Sequence, residues 1–261
     1  MHNRFIDPSE HRVFRSIREL ETAAIDEACT LTVMFGGLPI DIRYEPRGFG
    51  TTLIMFGAAV TKPMQFPIFA GKGLTAAVPA NRIFVHDPSL YVDDRLTLGW
   101  YAGNARQARL QLALKRILNT LSASTDVVTF GVSGGGFAAL YYAAVLGGTA
   151  VPVNPQTDIA AYTKGAIRNF THFAWGADRL EEVPAVTDLT DVYSRPVQNR
   201  VVYIQNTGDI EHMTRHYEPF MARLHPSNDV RTVLIDGGPG HVRPTKDLLT
   251  SKLQGVVNGT I

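Results

Sequence analysis

A glycine-rich turn at residues 131–135 constrains this chain more than any other stretch. Residues 127–130 read VVTF, an apolar run typical of a buried strand, and FAAL at 137–140 begins a helical pattern. Between them, the letters GVSGG place Ser133 in a G-x-S-x-G motif. A sharp strand-to-helix turn of this kind lifts a serine hydroxyl above the end of a sheet, and its glycines let strand and helix approach closely. The motif therefore predicts a nucleophile at Ser133.

Two other interpretations of this turn lead away from catalysis. The turn could simply connect a strand to a helix, or its backbone could hold a phosphate group. A phosphate loop ends in G-K-[ST], and a dinucleotide fingerprint has glycines spaced as G-x-G-x-x-G; the turn shows neither ending nor spacing. The strand before it and the helix after it favour the nucleophile turn.

Strand-like and helix-like segments alternate along most of the chain. Short apolar or alternating runs predict strands at 31–35, 40–44, 52–56, 82–86, 127–130, 150–153, 200–205 and 229–235. Helices are predicted at 105–121, from 137 to about 146, at 209–224 and at 245–256. This order is typical of an α/β fold, with a mostly parallel central sheet and helices on both faces.

The remaining segments complete a single domain spanning residues 1–261. Residues 1–30 are predicted as mixed helix and loop, and 60–80 as a long loop rich in proline and glycine. The strands at 31–35 and 40–44 are expected to form an antiparallel pair at the sheet edge. Residues 157–198 break the alternation, and we expect them to form an inserted helical lid.

Composition and charge argue against several classes of partner. A net charge of +1 gives no indication of nucleic acid or an anionic membrane surface. The single cysteine, Cys29, cannot form an internal disulfide. No apolar run is as long as a membrane span, and the charged N-terminal stretch lacks the apolar core of a secretory signal. We therefore expect a cytoplasmic protein without a nucleic-acid partner or a membrane span; the oligomeric state is left open.

Two further residues with catalytic chemistry follow predicted strands. Asp209 comes shortly after the strand at 200–205, and His241 follows the strand at 229–235. Ligands of such sheets bind at the carboxyl ends of the strands, so these side chains are expected near Ser133. A serine hydroxyl needs a base within hydrogen-bonding reach, and the base needs an orienting carboxylate.

The chain order Ser133, Asp209, His241 is the order of the α/β-hydrolase triad. With this order and its strand pattern, the chain resembles the α/β-hydrolase superfamily from about residue 31 to its end. The resemblance implies that Ser133 is the nucleophile and that His241 is a general base and then a general acid. Asp209 would fix the imidazole tautomer and stabilise its cation.

The resemblance also implies an oxyanion hole built from backbone N–H groups. Gly134 would supply one donor, and Ala58 or Ala59 would supply the second. The loop at 56–59 reads FGAA, where the HGGG run of lipases and esterases is absent.

Each triad residue also has an ordinary structural interpretation. His241 could be a surface histidine in a turn, and Asp209 could cap the helix that follows it. Glu211 and Asp236 are rival candidates for the orienting carboxylate.

A metal site is a separate possibility on the helix after Asp209. His212 and His216 are four residues apart and share a helical face, as metal-binding histidines often do. The H-E-x-x-H pattern is absent, and no carboxylate or cysteine cluster completes a zinc site. We therefore expect neither a metal nor another cofactor.

Candidate substrate contacts come from aromatic residues and one histidine. Trp100 and Tyr101 could stack on a sugar ring or an acyl group, and Trp175 could belong to an apolar roof over the substrate. His212 could contact the substrate near the triad. The aromatic residues are equally compatible with ordinary packing of the core and of the lid.

The expected activity is that of a serine hydrolase that cleaves an ester or other acyl bond of a small molecule or carbohydrate through an acyl-enzyme. FAALYY at 137–142 after the turn resembles the hydrolase-like O-acetyltransferase domain of an accessory Sec secretion protein. That likeness implies an alternative, acyl transfer to a carbohydrate or other alcohol by the same triad. A catalytically silent hydrolase-like binding module is a further alternative.

Overall fold

A nine-stranded sheet organises residues 3–60 and 65–261, the part of the chain that the computed structural model describes. Its spatial order is β1-β2-β3-β5-β4-β6-β7-β8-β9. The strands are β1 His11–Phe14, β2 Cys29–Phe35, β3 Leu38–Glu45, β4 Thr51–Phe56, β5 Asn81–Val85, β6 Asp126–Val132, β7 Thr149–Val153, β8 Arg200–Asn206 and β9 Asp229–Ile235. Neighbouring strands run parallel except at β3, which is antiparallel to both β2 and β5.

Helices cover both faces of this sheet. The α-helices are α1 Ile17–Glu21, α2 Leu110–Leu121, α3 Gly134–Leu146, α4 Lys164–Asn169, α5 Leu189–Tyr193, α6 Ile210–His212, α7 Glu218–Arg223 and α8 Lys246–Val257. Successive side chains of β4 alternate between two apolar cores, as the pleat of a strand requires. Ile54 packs in the core that contains α2 and α3, and Leu53 packs in the core that contains α8. The predicted α/β fold class is confirmed.

The prediction for the sheet edge was wrong in one respect. Every predicted strand overlaps an observed one, and the first two are antiparallel as expected. However, β1 lies outside them and pairs with β2 in parallel. The sequence HRVF does not look like a strand because only Phe14 is buried, while Val13 is 55% exposed. An exposed edge strand needs little apolar sequence.

Two predicted helices differ from the observed ones. The helix predicted at 105–121 begins at Leu110, because Oδ1 of Asn104 accepts the N–H groups of Arg106 and Gln107 and closes a turn there. The helix predicted at 209–224 is divided into α6 and α7 by a π-helical turn, Met213–Tyr217. Pro219, which follows that turn, lacks the N–H group needed to continue a regular α-helix.

The segment between β7 and β8 contains only short helices. Besides α4 and α5, it includes a π-helical turn at Phe170–Trp175. Its beginning is joined to the start of α5, where Leu189 N–H donates to the carbonyl oxygen of Thr157 at 2.7 Å. That these residues act as a lid stays a prediction. The predicted loop at 60–80 includes residues 61–64, which lie outside the described residues, as do residues 1 and 2 of the predicted segment 1–30.

Across residues 3–60 and 65–261, no helix is both long and apolar enough to cross a membrane.

Candidate active site

Ser133 occupies a strained turn between β6 and α3. Its backbone has φ 55° and ψ −119°, a conformation that L-residues rarely adopt and that often marks functional sites. The turn also requires glycine. A Cβ on Gly135 would lie 2.5 Å from the carbonyl oxygen of Phe56, and one on Gly131 would lie 2.0 Å from that of Gly135. The G-x-S-x-G spacing thus allows β4, β6 and α3 to meet directly beneath the serine.

The hydroxyl of Ser133 is buried and bound by an amide. Nε2 of Gln156 donates to Ser133 Oγ at 2.9 Å, and Oε1 of Gln156 accepts from the indole nitrogen of Trp100 at 2.5 Å. An indole nitrogen can only donate, which fixes the orientation of the amide. Because Oγ accepts this bond, its own proton remains available to a base. No hydrogen bond joins Ser133 to His241 in the part of the chain that the structure describes.

Asp209 lies at the start of α6 and contacts His241 directly. Its Oδ2 is 2.6 Å from Nδ1 of His241. Oδ1 accepts the backbone N–H of His212 at 3.2 Å, so the carboxylate also caps the helix. The rival carboxylates lie elsewhere. Glu211 is exposed and pairs with Arg215, and Asp236 accepts the N–H of Gly238.

Two asparagines at the ends of adjacent strands fix the loop that carries His241. Asn206, the last residue of β8, donates to the carbonyl oxygens of Gly238 at 2.9 Å and Gly240 at 3.0 Å. Asn154, which follows β7, accepts the N–H of Asn206 at 2.7 Å. No role was predicted for Asn206 from the sequence; its position at the end of a strand, directly before the segment that carries Asp209, was the available signal.

A second imidazole shares the Asp209 carboxylate. Nδ1 of His212 lies 3.2 Å from Oδ1 and 3.1 Å from Oδ2 of Asp209. Its ring stacks on the ring of His241, with centroids 4.0 Å apart and planes 17° apart. His216 follows at a centroid distance of 5.1 Å from His212, and its Nδ1 accepts the N–H of Thr157. His212 was proposed as a substrate contact, but its main polar partner is Asp209.

The charges of this cluster follow from burial and from its hydrogen bonds. Burial raises the pKa of the Asp209 carboxyl, but hydrogen bonds from His241 and from the His212 backbone, together with the favourable electrostatics of the two imidazoles, outweigh burial and lower it overall. Burial lowers the pKa of His212, and His241 lowers it further, against the opposing effect of Asp209. Burial, together with His212, lowers the pKa of His216 to about 3. At neutral pH, Asp209 is therefore ionised, and His212 and His216 are neutral.

The same cluster is the one place among the described residues where three potential metal ligands converge. One ligand atom from each of Asp209, His212 and His241 lies within 4.8 Å of the others. The Nδ1 atoms of both histidines hydrogen-bond to the carboxylate. The arrangement therefore matches a histidine–carboxylate network, and the absence of a metal stays an expectation.

The candidate oxyanion donors lie at the turn and at the loop after β4. The N–H groups of Gly134, Ala58 and Ala59 donate to no other described residue. The N–H of Gly57, by contrast, donates to the hydroxyl of Tyr101 at 2.6 Å. Unpaired N–H groups beside a nucleophile are the donors that an oxyanion would require.

The aromatic candidates have structural roles in the described chain. Trp100 and Tyr101 are 1% and 2% exposed, and both have positive φ angles, 52° and 56°. Trp100 holds Gln156, and Tyr101 holds the Gly57 backbone. Trp175 packs against Phe170 at a centroid distance of 6.4 Å. Any effect of Trp100 on substrate would therefore pass through the residues that it positions.

A cavity of about 520 Å³ adjoins the candidate oxyanion loop. Its wall includes Ala58, Ala59 and Val132, the residue directly before Ser133. A cavity of this size suits a small-molecule ligand. Ser133, Asp209 and His241 are not among its lining residues, so the cavity adjoins the nucleophile turn without containing the triad.

No protein-family model and no curated protein sequence matches this chain. Solved structures do resemble it. The capsule O-acetyltransferase of Neisseria meningitidis serogroup A has a TM-score of 0.67 at 16% identity, over 85% of this chain and 95% of that one. A mutant of that enzyme has been solved in complex with CoA, with a TM-score of 0.62 at 17% identity over the same shares.

Two other similar structures are hydrolases. An S-formylglutathione hydrolase from Agrobacterium tumefaciens has a TM-score of 0.59 at 10% identity, over 91% of this chain and 96% of that one. An acetyl xylan esterase from Paenibacillus sp. R4 has a TM-score of 0.58 at 16% identity, over 94% and 92%. At these identities the likeness establishes the fold. The chain has the α/β-hydrolase fold, as its sequence resemblance implied.

Proposed function

We propose that this protein is a serine acyl hydrolase that cleaves an ester or other acyl bond through an acyl-enzyme on Ser133. The observation that carries the proposal is the strained backbone of Ser133 at the end of β6. His241 and Asp209, which are bound to each other at 2.6 Å, follow the parallel strands β9 and β8 at the same edge of the sheet. A strained turn that presents a buried hydroxyl is costly to maintain, and nucleophilic catalysis supplies a reason for it.

In the proposed reaction, Oγ of Ser133 bonds to the carbonyl carbon while Nε2 of His241 takes the hydroxyl proton. Asp209 binds Nδ1–H and stabilises the imidazolium. The N–H groups of Gly134 and of Ala58 or Ala59 stabilise the oxyanion. His241 then gives the proton to the leaving group as its bond to carbon breaks. Water, activated by His241, releases the acid and restores Ser133.

The first step requires His241 and Ser133 to approach each other. Ser133 is bound instead to Gln156 in the present arrangement. Catalytic hydrogen bonds often form only when substrate is bound. His241 lies in a loop with positive φ at Gly238 and Gly240, and its side chain is 38% exposed, so this side of the site has room to adjust.

Acyl transfer to an alcohol, including a carbohydrate, is the second candidate function. It is favoured by the fold likeness to a capsule O-acetyltransferase and by the burial of Ser133, which is 7% exposed. An acyl-enzyme protected from water survives until an alcohol attacks it. Residues 157–198, the proposed lid, place Tyr162 6.1 Å from the ring of Trp100 and so lie close to this position.

Labelling with a fluorophosphonate probe tests the nucleophile. We expect the wild type to be labelled and Ser133→Ala to be unlabelled. Ser124→Ala is a matched control, because Ser124 precedes β6, also has a positive φ of 66°, and is exposed. A folded wild type that resists the probe would favour the silent binding module, and labelling that persists in Ser133→Ala would place the reactive group elsewhere.

The partition of the acyl group separates the two active candidates. Wild-type enzyme is incubated with an acetyl ester in the presence and absence of a carbohydrate or simple alcohol. A hydrolase yields mainly acetate under both conditions, whereas a transferase yields mainly the new ester when the acceptor is present. Ser133→Ala should abolish both products.

A further inference from the structure

We propose that the 520 Å³ cavity binds an acyl donor whose leaving group carries phosphate, and that Arg243 and Lys246 bind that phosphate. This inference rests on the proposed function of Ser133 and adds the class of donor. It assigns a role to two cations that the triad does not use.

The cavity has an apolar interior and a cationic side. Met55, Phe130 and Leu249 contribute buried apolar surface to its wall. Arg243 and Lys246 also line it, and both are exposed to solvent. A ligand that matches these walls has an apolar or weakly polar arm and an anionic group at the end that faces solvent.

Within residues 3–60 and 65–261, the two cations have no partner that would neutralise them. Among the described residues, neither Arg243 nor Lys246 forms an ion pair or a side-chain hydrogen bond. The acidic residue that lines the cavity is Asp87, and it does not pair with either cation. Its carboxylate accepts the N–H groups of Ser89 and Tyr101, and burial raises its pKa. The cations are therefore free to bind an anion from solution.

The start of α8 reinforces the preference for an anion. Lys246 is its first residue, and Thr245 caps it by accepting the N–H of Leu248. The N-terminal end of a helix carries partial positive charge, which adds to the two side-chain charges. Asp247, which follows Lys246, is exposed and is not part of the cavity wall.

The position of Arg243 assigns the phosphate to the leaving group. Arg243 is two residues beyond His241, the residue that would protonate the leaving group. When Ser133 Oγ bonds to the acyl carbon of a thioester, the carbon–sulfur bond breaks and the electron pair stays on sulfur. His241 then transfers the serine proton to that sulfur. The products are acyl-Ser133 and a free thiol whose phosphate is bound by Arg243 and Lys246.

Three acetyl thioesters test the inference, of which the last two differ only in phosphate and the first also carries a nucleotide. The donors are acetyl-CoA, S-acetyl-4′-phosphopantetheine and S-acetylpantetheine, which has no phosphate. We expect kcat/KM to be about tenfold or more higher for a phosphorylated donor, the size of one charge-assisted hydrogen bond. The preference should weaken as salt is raised, because exposed charges are screened. Equal rates for the last two donors, with a preference only for acetyl-CoA, would place the recognised phosphate on the nucleotide.

Arg243→Ala and Lys246→Ala should each reduce the preference for phosphorylated donors by about tenfold. Lys252→Ala is the matched control, because Lys252 lies in the same helix but outside the cavity wall, and it should leave the preference unchanged. Calorimetric binding of free CoA to Ser133→Ala, with and without Arg243→Ala, provides a readout that needs no turnover.

The outcomes separate this inference from the proposed function. Equal kcat/KM for all three thioesters, or an unchanged preference in both cation variants, would overturn the phosphate site while leaving Ser133 chemistry intact. Turnover that survives in Ser133→Ala would instead refute the proposed function. Fluorophosphonate labelling of Ser133 without turnover of any thioester would also overturn the inference.

Discussion

Two imidazoles hydrogen-bond to one carboxylate, and their surroundings differ sharply. His241 lies in a glycine-rich loop after β9, and its side chain is 38% exposed. His212 lies in α6, and its side chain is 5% exposed. Both point Nδ1 at Asp209, and their rings are stacked 4.0 Å apart. Hydrogen bonding to Asp209 alone therefore does not decide which histidine serves as the base.

The difference in solvent exposure indicates which histidine is the base. A general base must reach the substrate and exchange protons with solvent, which favours His241. His212 is held neutral by burial and by the neighbouring His241, and among the described groups its Nε2 is buried without a hydrogen-bond partner. A neutral imidazole can donate Nδ1–H to Asp209 and support the ring of His241 without adding a competing charge. We therefore expect His241 to act on the substrate and His212 to position His241.

Replacing each histidine tests this comparison most directly. We expect His241→Ala to lower kcat by about 10⁴-fold or more, because the serine loses its base. His212→Phe keeps an aromatic ring beside His241 and should cost far less. The measurement is kcat and KM for a neutral acetyl ester. Rates are expressed per titrated active site for wild type and His212→Phe, and per folded protein for His241→Ala, which lacks the base that the fluorophosphonate reaction also requires.

A larger loss of activity in His212→Phe than in His241→Ala would contradict the assignment of His241 as the base. If His212→Phe lost as much activity as His241→Ala, the buried histidine would be the base. Circular dichroism and thermal unfolding of both variants would first establish that they are folded.

The difference between the two histidines also shows what sequence could and could not predict. Strand order, the turn at Ser133 and the positions of Asp209 and His241 after strands are local patterns that a chain displays directly. The stacking of His212 on His241 joins residues 29 positions apart in sequence. It depends on how α6 meets the loop after β9. The helical spacing of His212 and His216 was visible, and His212 was expected near the triad, but the spacing alone could not show that His212 binds Asp209.

Gln156 was hard to assign for a related reason. Its amide links Ser133 to Trp100 across residues that are 23 and 56 positions away. Such a contact needs the positive φ angles of both Ser133 and Trp100, which single-sequence patterns do not reveal for residues other than glycine. The fold could be inferred because the hydrophobic periodicity of strands and helices repeats over many residues. The contacts of Gln156 with Ser133 and Trp100 each depend on a single residue and leave no such pattern.

Two substitutions at His212 separate the effect of its hydrogen bond from the effect of its stacked ring. His212→Phe loses the hydrogen bond to Asp209, and we expect kcat to fall about tenfold. His212→Ala also loses the stacked ring, and we expect a fall of about 50-fold. KM for a neutral ester should change little in both, because the buried ring is far less accessible than that of His241.

The matched control for this series is His172→Phe, at an exposed position outside the Asp209 cluster. A positioning role requires that kcat per titrated active site falls while the fraction of active enzyme stays high. If only the active fraction or the unfolding temperature fell, His212 would merely support the fold.

The smallest expected effect concerns His216, the innermost imidazole, and the pH dependence of stability. Burial lowers its pKa to about 3, and its Nδ1 accepts a backbone N–H, so the folded protein excludes a proton that the unfolded chain binds below about pH 6.5. Stability is therefore lost as pH falls from about 7 towards 3, by at most about 1.4 kcal/mol per pH unit from this residue. Between pH 7 and pH 5 its contribution to the free energy of unfolding should fall by about 2 kcal/mol.

Urea unfolding of wild type and His216→Phe at these two pH values measures the difference: the variant starts less stable but should lose about 2 kcal/mol less on acidification. Equal losses of unfolding free energy in the two proteins would show that His216 is protonated in the folded state. The buried surroundings of His216, next to Asp209, would then be more accessible to protons than their packing indicates.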